Sequence, residues 1–305
     1  MLSPAQIQYI LALVEFQHFQ RAADACFVTQ PTLSMQIKKA EELMGAAVFD
    51  RDKNPIELSP FGREILPHLL EINSAYQSLF DALNKAKGVH KFNIRMAVIP
   101  TISAYLIPDM FKIWQSTMPN VELEVVELKT SDLLEAIEMR KIDIGILAGP
   151  IVNPNIKSQI LYYEPLHIYS GDFQNELISV DELINAKPWL LSEGNCLRTQ
   201  MMDFCNLQES KNNWNYTGGN LPVIINMVNQ EGGYTILPKH YIPHLMLNSD
   251  YVKEIEGYSP ARQVVGLYPT RTTKSQLIQS LFQSIQQFYP MPAHINKLDV
   301  LPWKN

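Results

Sequence analysis

The chain has 305 residues, 46% apolar and 18% charged, an ordinary globular composition with room for two or three domains. Its formal charge of −6 gives no global attraction to nucleic acid or to an anionic membrane, so any such partner must meet a local basic patch. There is no run of eighteen apolar residues and no basic head before an apolar core at the N-terminus, and three cysteines make no disulfide framework; we therefore expect a protein of the reducing cytosol.

In "LSPAQIQYILALVEFQ" Ser3 is a good N-cap, Pro4 suits the first turn and Gln6 completes a capping box, so a helix starts here. Ile7, Ile10, Leu11 and Val14 form its expected buried stripe. A short Ala-rich helix, a turn and a second helix follow, the latter opening at Thr29 and ending at Gly45. Leu33, Ile37, Ala40 and Met44 share one face of it. The other side offers Gln30, Pro31, Thr32, Ser34, Met35, Gln36, Lys38 and Lys39, short polar groups first and cations behind, a pattern able to read base edges and hold phosphates. "AAVFDRDKNPIELSPFG" then gives two short extended segments with Arg51 and Lys53 at the tip, a wing. A three-helix bundle with a merely solvated polar face fits the same pattern. Residues 1 to 90 hold eight Lys and Arg against ten Asp and Glu, so a DNA reader must work through a narrow basic strip.

From Ser59 to residue 86, Ile65, Leu69, Ile72, Tyr76, Leu79 and Leu83 alternate steps of four and three, the spacing of a coiled-coil seam, with a bend expected at Pro67. Two chains can zip along it, or one helix can pack on its own domain. "KAKGVHKFN" reads as a linker.

The remaining two thirds alternate strand and helix from "FNIRMAVIP" onward, which implies parallel sheet with right-handed crossovers and two α/β lobes. The chain crosses between them near residues 161 to 166 and 262 to 268. No phosphate loop, nucleophile elbow or His-Glu-x-x-His helix supports common enzyme chemistry, and no cofactor or metal is indicated. The tail 291–305 has no assigned place.

Cys196 and Cys205 are nine residues apart, too far for a C-x-x-C motif and without a histidine cluster. A continuous helix between them separates their Cα atoms by about 13.5 Å and puts them on opposite faces, whereas a disulfide needs about 4.4–6.8 Å. Helix and disulfide therefore exclude each other. Gly194 and Asn195 form a turn and cap that place Cys196 at a helix N-terminus, with Arg198 two residues on, a setting that favours thiolate. Two inert, half-buried thiols remain the alternative, and Cys26 reads as core.

The residues also carry a family likeness. The Ala-Ala pair, the Gln-Pro-Thr-Leu-Ser helix start, the Glu-Leu-x-Gly end and the Phe-x-Arg wing occur in the order and spacing of LysR-type transcription regulators, and the two lobes resemble their effector domain. "LLSEGNCLRTQMMDFC", "IPTISAYLIP" and "INMVNQEGGYTILP" are similar to the peroxide-sensing branch of that family. The resemblance implies a winged helix-turn-helix at 1–58, a dimerisation helix and linker at 59–90, and two Rossmann-like lobes of periplasmic-binding-protein type. Lobe I is expected at 91–163 plus 265–305 and lobe II at 164–264. It further implies a dimer, or tetramer, on DNA with a dyad-symmetric operator, with RNA polymerase, hydrogen peroxide and a thioredoxin or glutaredoxin-type reductant as partners. Cys196 is then the peroxide-reactive thiol, Cys205 its disulfide partner, and Thr101, Thr130, Asn195 and Arg198 the pocket. Asn195 and Thr199 stand where the family commonly has His and Asp, which bears on proton handling. A LysR-type regulator responding to a small molecule between the lobes is the alternative, and a DNA-binding thiol peroxidase a third.

Overall fold

The computed structural model describes residues 1–86, 92–204, 220–245 and 249–301. The chain divides into two units, 1–91 and 92–305. No helix among the described residues is long and apolar enough to cross a membrane.

The first unit is built by local codes. In α1 (Pro4–Phe16) the Ser3 hydroxyl accepts from Gln6 N and the Gln6 side chain accepts from Ser3 N, closing the capping box. The buried face is Gln6, Ile7, Ile10 and Leu13, with Leu11 and Val14 at its margin. The expected stripe is thus rotated, because α1 packs at once against α2 (Phe19–Ala25), α3 (Gln30–Met44) and α4 (Pro60–Ala86). Thr29 caps α3, and Gly45 ends it in the left-handed region at φ +76°, where a side chain would be strained. Leu33, Ile37 and Ala40 fill the core, with Met44 half-buried beside them.

β1 (Phe49–Asp50) and β2 (Glu57–Leu58) pair antiparallel as the wing. Gly62 lets α4 pass against the wing's root, since a Cβ there would fall 2.1 Å from Val48 O. The 27-residue α4 continues through Pro67. Its seam divides: Leu69 is buried in the head with Ile65 beside it, whereas Ile72, Leu79 and Leu83 are exposed.

In the second unit β3 (Phe92–Val98), β4 (Val121–Glu127) and β5 (Ile144–Gly149) are parallel, linked by α5 (Pro100–Thr117) and α6 (Thr130–Glu138). β6 (Ile156–Tyr169) and β10 (Pro260–Pro269) are long antiparallel neighbours that carry the chain from one lobe to the other. β10 also pairs antiparallel with β5. Beyond the crossing, β7 (Leu177–Ile178), β8 (Thr235–Pro238) and β9 (Val252–Ile255) complete the second lobe, β8 and β9 pairing with β6 and β7 with β9. Helices α7 (Val180–Asn185), α8 (Cys196–Phe204) and α9 (Leu221–Glu231) belong to this lobe. α10 (Ser275–Phe288) anchors on the first lobe through Ile278, Leu281, Phe282 and Ile285, each such burial giving about 1.5–3 kcal/mol. The tail has a place after all: β11 (Asp299–Val300) lies parallel to the start of β10.

Candidate functional site

Three helix N-termini meet where strands end, the position at which α/β sheets bind ligands. Thr101 is the second residue of α5 and Thr130 the first of α6, each just past the C-terminal end of a parallel strand. Cys196 opens α8, and the backbone N–H groups of Leu197 and of Ala148, near the end of β5, reach its sulfur. All three residues are buried, Cys196 to 1% exposure. Gly194 makes the turn into α8 at φ +80°.

The cation that acts on this thiol is Arg262, at 0% exposure in β10. Its Nε donates to Glu164 Oε2 at 2.7 Å, its Nη1 to Thr101 Oγ1 at 2.9 Å and its Nη2 to Thr101 O at 2.9 Å. Each of the three guanidinium nitrogens thus makes a hydrogen bond. Glu164, equally buried, also accepts from Tyr105 Oη at 2.9 Å and from His240 N at 3.2 Å, and Tyr105 and Tyr162 share a 2.6 Å hydrogen bond. Burial, the largest influence, opposes the arginine's charge, but Glu164, Tyr105 and Cys196 together more than offset it and hold its pKa above the usual range. Tyr105 and Tyr162 are pushed up by burial and then by Glu164, so both stay neutral donors.

Two sequence expectations change. Burial raises the Cys196 thiol above its ordinary value, and Arg262 with the backbone N–H groups of Leu197 and Ala148 offsets this only in part. A helix N-terminus did not suffice to make a thiolate, because desolvation of the charge outweighs it. Arg198, two residues on and so about 200° around the helix, turns its guanidinium to Leu191 O at 3.2 Å. Asn195 starts α8 with its backbone carbonyl, while its carboxamide turns back to Ser192 O and Oγ at 3.0 and 3.1 Å. Thr130 Oγ1 is buried without a hydrogen-bond partner among the described residues, and Lys129, which precedes it, donates from Nζ to Glu193 O in the turn before α8 at 3.4 Å. Cys205 lies outside the described residues.

α8 runs unbroken from Cys196 to Phe204, about 12 Å along its axis.

On the head, Gln30, Thr32, Ser34 and Gln36 are half-buried and Pro31, Met35, Lys38 and Lys39 exposed along α3. Gln36 accepts from Gln6 at 3.3 Å. The wing cations are both paired. Arg51 donates to Glu41 at 2.7 Å, whose other oxygen accepts from Val48 N and Phe49 N, and Lys53 meets Glu57 at 3.2 Å. The wing's positive field is therefore reduced by more than its flanking Asp50 and Asp52.

The description "Bacterial regulatory helix-turn-helix protein, lysR family" matches residues 4–63, and "LysR substrate binding domain" matches residues 88–290. The chain belongs to the LysR family. It is accordingly a DNA-binding transcription regulator that works as an oligomer, with the helix-turn-helix on the first unit and a periplasmic-binding-protein-type effector domain on the second. It is 29% identical to the HTH-type transcriptional regulator EstR of Acinetobacter baylyi over 286 residues, covering 92% of this chain and 93% of that one. It is likewise 29% identical to the DNA-binding transcriptional dual regulator OxyR of Escherichia coli over 241 residues, 78% of this chain and 79% of that one. A full-length OxyR variant of Pseudomonas aeruginosa, with one cysteine replaced by aspartate, shares the fold with a TM-score of 0.76 at 25% identity, covering 94% and 98% of the two chains.

Glu164 and Arg262 were missed in the sequence, yet a signal was there. "YYEPLHIY" and "ARQVVGLYP" each hold one charge amid apolar strand residues, at the two points where the chain changes lobes.

Proposed function

We propose that this LysR-type regulator is a cytoplasmic peroxide-responsive switch acting at Cys196. One observation carries the reading: a fully buried thiol opens α8 in the field of a buried arginine that Glu164 and Thr101 hold in place. The relatives named for hydrogen peroxide support it. Peroxide's O–O bond breaks as the sulfur takes one oxygen, giving Cys196 sulfenic acid and water. The Cys205 thiol then displaces that hydroxyl as a second water, forming the disulfide. A dithiol reductant of thioredoxin or glutaredoxin type returns both thiols and is itself oxidised. Moving a conformer from 1:99 to 99:1 needs about 5.5 kcal/mol, which roughly 120 mV of two-electron potential supplies. Unwinding of α8 repacks the second lobe and changes how paired heads sit on a dyad-symmetric operator, and hence their contact with RNA polymerase. Pairing through α4 gives the dimer. The exposed Phe111 beside edge strand β4 fits a second copy in a tetramer.

The test treats reduced protein with substoichiometric peroxide, maps disulfides by mass spectrometry and footprints bound DNA. A Cys196–Cys205 bond and a changed footprint are expected, both absent in Cys196→Ser. A Cys196→Ser protein that still shifts its footprint with peroxide would falsify the reading. A small-molecule effector at the same pocket is the second reading, favoured by the unmatched Thr130 hydroxyl and the equal likeness to EstR. In that case Cys196→Ser regulates normally.

On the head, Gln30, Pro31, Thr32, Ser34, Met35 and Gln36 face base edges and Lys38 and Lys39 hold phosphates. Each phosphate contact adds about 0.9 to the slope of log affinity against log salt. Lys38→Ala with Lys39→Ala, four cations in a dimer, is expected to flatten that slope by up to about 3.6. Arg51→Ala with Lys53→Ala flattens it less, because Glu41 and Glu57 already neutralise those cations. Salt titration of operator binding measures both, and equal slopes would remove Lys38 and Lys39 from the interface.

A further inference from the structure

The C-terminal segment ties together the two elements that make the thiol pocket. Leu301 N donates to Ala261 O at 2.8 Å, and Asp299 N to Ser259 O at 2.9 Å. The Asp299 carboxylate accepts from Ser259 N at 2.7 Å. Ala261 immediately precedes Arg262. From the other side, Gln200 Nε2 donates to Leu301 O at 3.0 Å. Gln200 is four residues past Cys196, so it lies on the same face of α8. Leu301 therefore joins the strand carrying the arginine to the helix carrying the thiol, using its own N–H and C=O.

Gln200 is 0% exposed, and among the described residues its Oε1 has no partner. The other buried residues of α8 are Cys196, Leu197 and Met201. A half-satisfied carboxamide in that company is unfavourable unless its one bond matters, since a buried polar atom left unmade forfeits its hydration. The tail lies at the surface: Asp299 and Val300 are exposed and Leu301 is half-buried against the core. A short edge segment of this kind can be released without unfolding the lobe.

We infer that residues 299–301 are a latch that keeps α8 wound over Cys196 and so sets how readily this thiol is reached by oxidant. The latch holds the reduced form, and its release precedes unwinding of α8. The consequence for signalling rests on the peroxide reading above; the restraint on α8 does not.

Two variants attack the contact from opposite sides: truncation after Leu298, and Gln200→Leu, which removes the donor while keeping an apolar side chain of similar size in the core. Peptide-resolved alkylation of the reduced full-length protein and of each variant with iodoacetamide reads the latch directly, with Cys26 as internal control. Both variants are expected to speed Cys196 alkylation about ten-fold, the combined variant no more than either alone, and Cys26 not at all. The midpoint for Cys196–Cys205 then moves about 30 mV more negative, the ten-fold change for two electrons, because the reduced form has lost a stabilising contact. Unchanged Cys196 alkylation in Gln200→Leu overturns the latch, even if the truncation fails to fold. Faster alkylation without any Cys196–Cys205 bond after peroxide keeps the latch and removes the redox reading. Unchanged alkylation with normal disulfide formation does the reverse.

Discussion

Arg262→Met is expected to destabilise the effector unit by about 3–5 kcal/mol, the cost of removing one partner from a buried ion pair. Glu164 would be left at 0% exposure with only the Tyr105 hydroxyl and the His240 N–H as donors. For a unit of this size each kcal/mol lowers Tm by roughly 2–4 °C, so a fall of about 6–20 °C is predicted by calorimetry. Glu164→Gln alone leaves a buried guanidinium without its anion and also destabilises. The double variant removes both charges and is expected to recover part of the loss, giving a large coupling in the double-mutant cycle. A second readout separates packing from electrostatics. Arg262 partly offsets the burial that raises Cys196, so in the double variant the thiol titrates higher still and its alkylation-versus-pH profile moves to higher pH. If stability falls by less than about 1 kcal/mol, or the profile stays where it was, the arginine is neither the pair's anchor nor the field at the sulfur.

How much of this could be read in advance differs between the units for a physical reason. Ser3, Thr29 and Gly45 act on backbone within four residues of themselves, so the head's helices were legible from local codes. The buried arginine was not. Arg262 and Glu164 are 98 positions apart and meet because they are direct partners in the β6–β10 register. Those strands are apolar on both faces over most of their length, so no alternation in the sequence announces the register. Reasoning from neighbours therefore selected Arg198, which the helix turn carries away from the sulfur, over Arg262, which the sheet brings to it. The same limit applies to Cys196. Its place at a helix N-terminus was readable, but the desolvation that raises its pKa comes from elements remote in sequence. The tail was opaque because two strand residues and one carboxamide hold it, too short a pattern to stand out.

Along α4 the sequence showed a seam but not how it is shared. Leu69 is consumed by the head, while Ile72, Leu79 and Leu83 stand 51%, 54% and 45% exposed on one chain. Exposed apolar residues spaced by seven and four lie on one seam that a facing helix would cover, and in the proposed dimer a second copy would supply it symmetrically. Leu79→Glu places a carboxylate in that seam on both chains, where two like charges are desolvated against each other. We expect the dimer dissociation constant to rise at least about a thousand-fold, roughly 4 kcal/mol, measured by sedimentation. The exposed Gln77, two residues away and off the seam, provides the control: Gln77→Glu adds the same charge and should leave the dimer intact. DNA binding should follow assembly. A lone head reaches one half-site, so the variant is expected to lose at least about a hundred-fold in operator affinity and half its salt slope, while the head's own helices melt normally. A Leu79→Glu protein that remains dimeric at micromolar concentration would place the interface elsewhere.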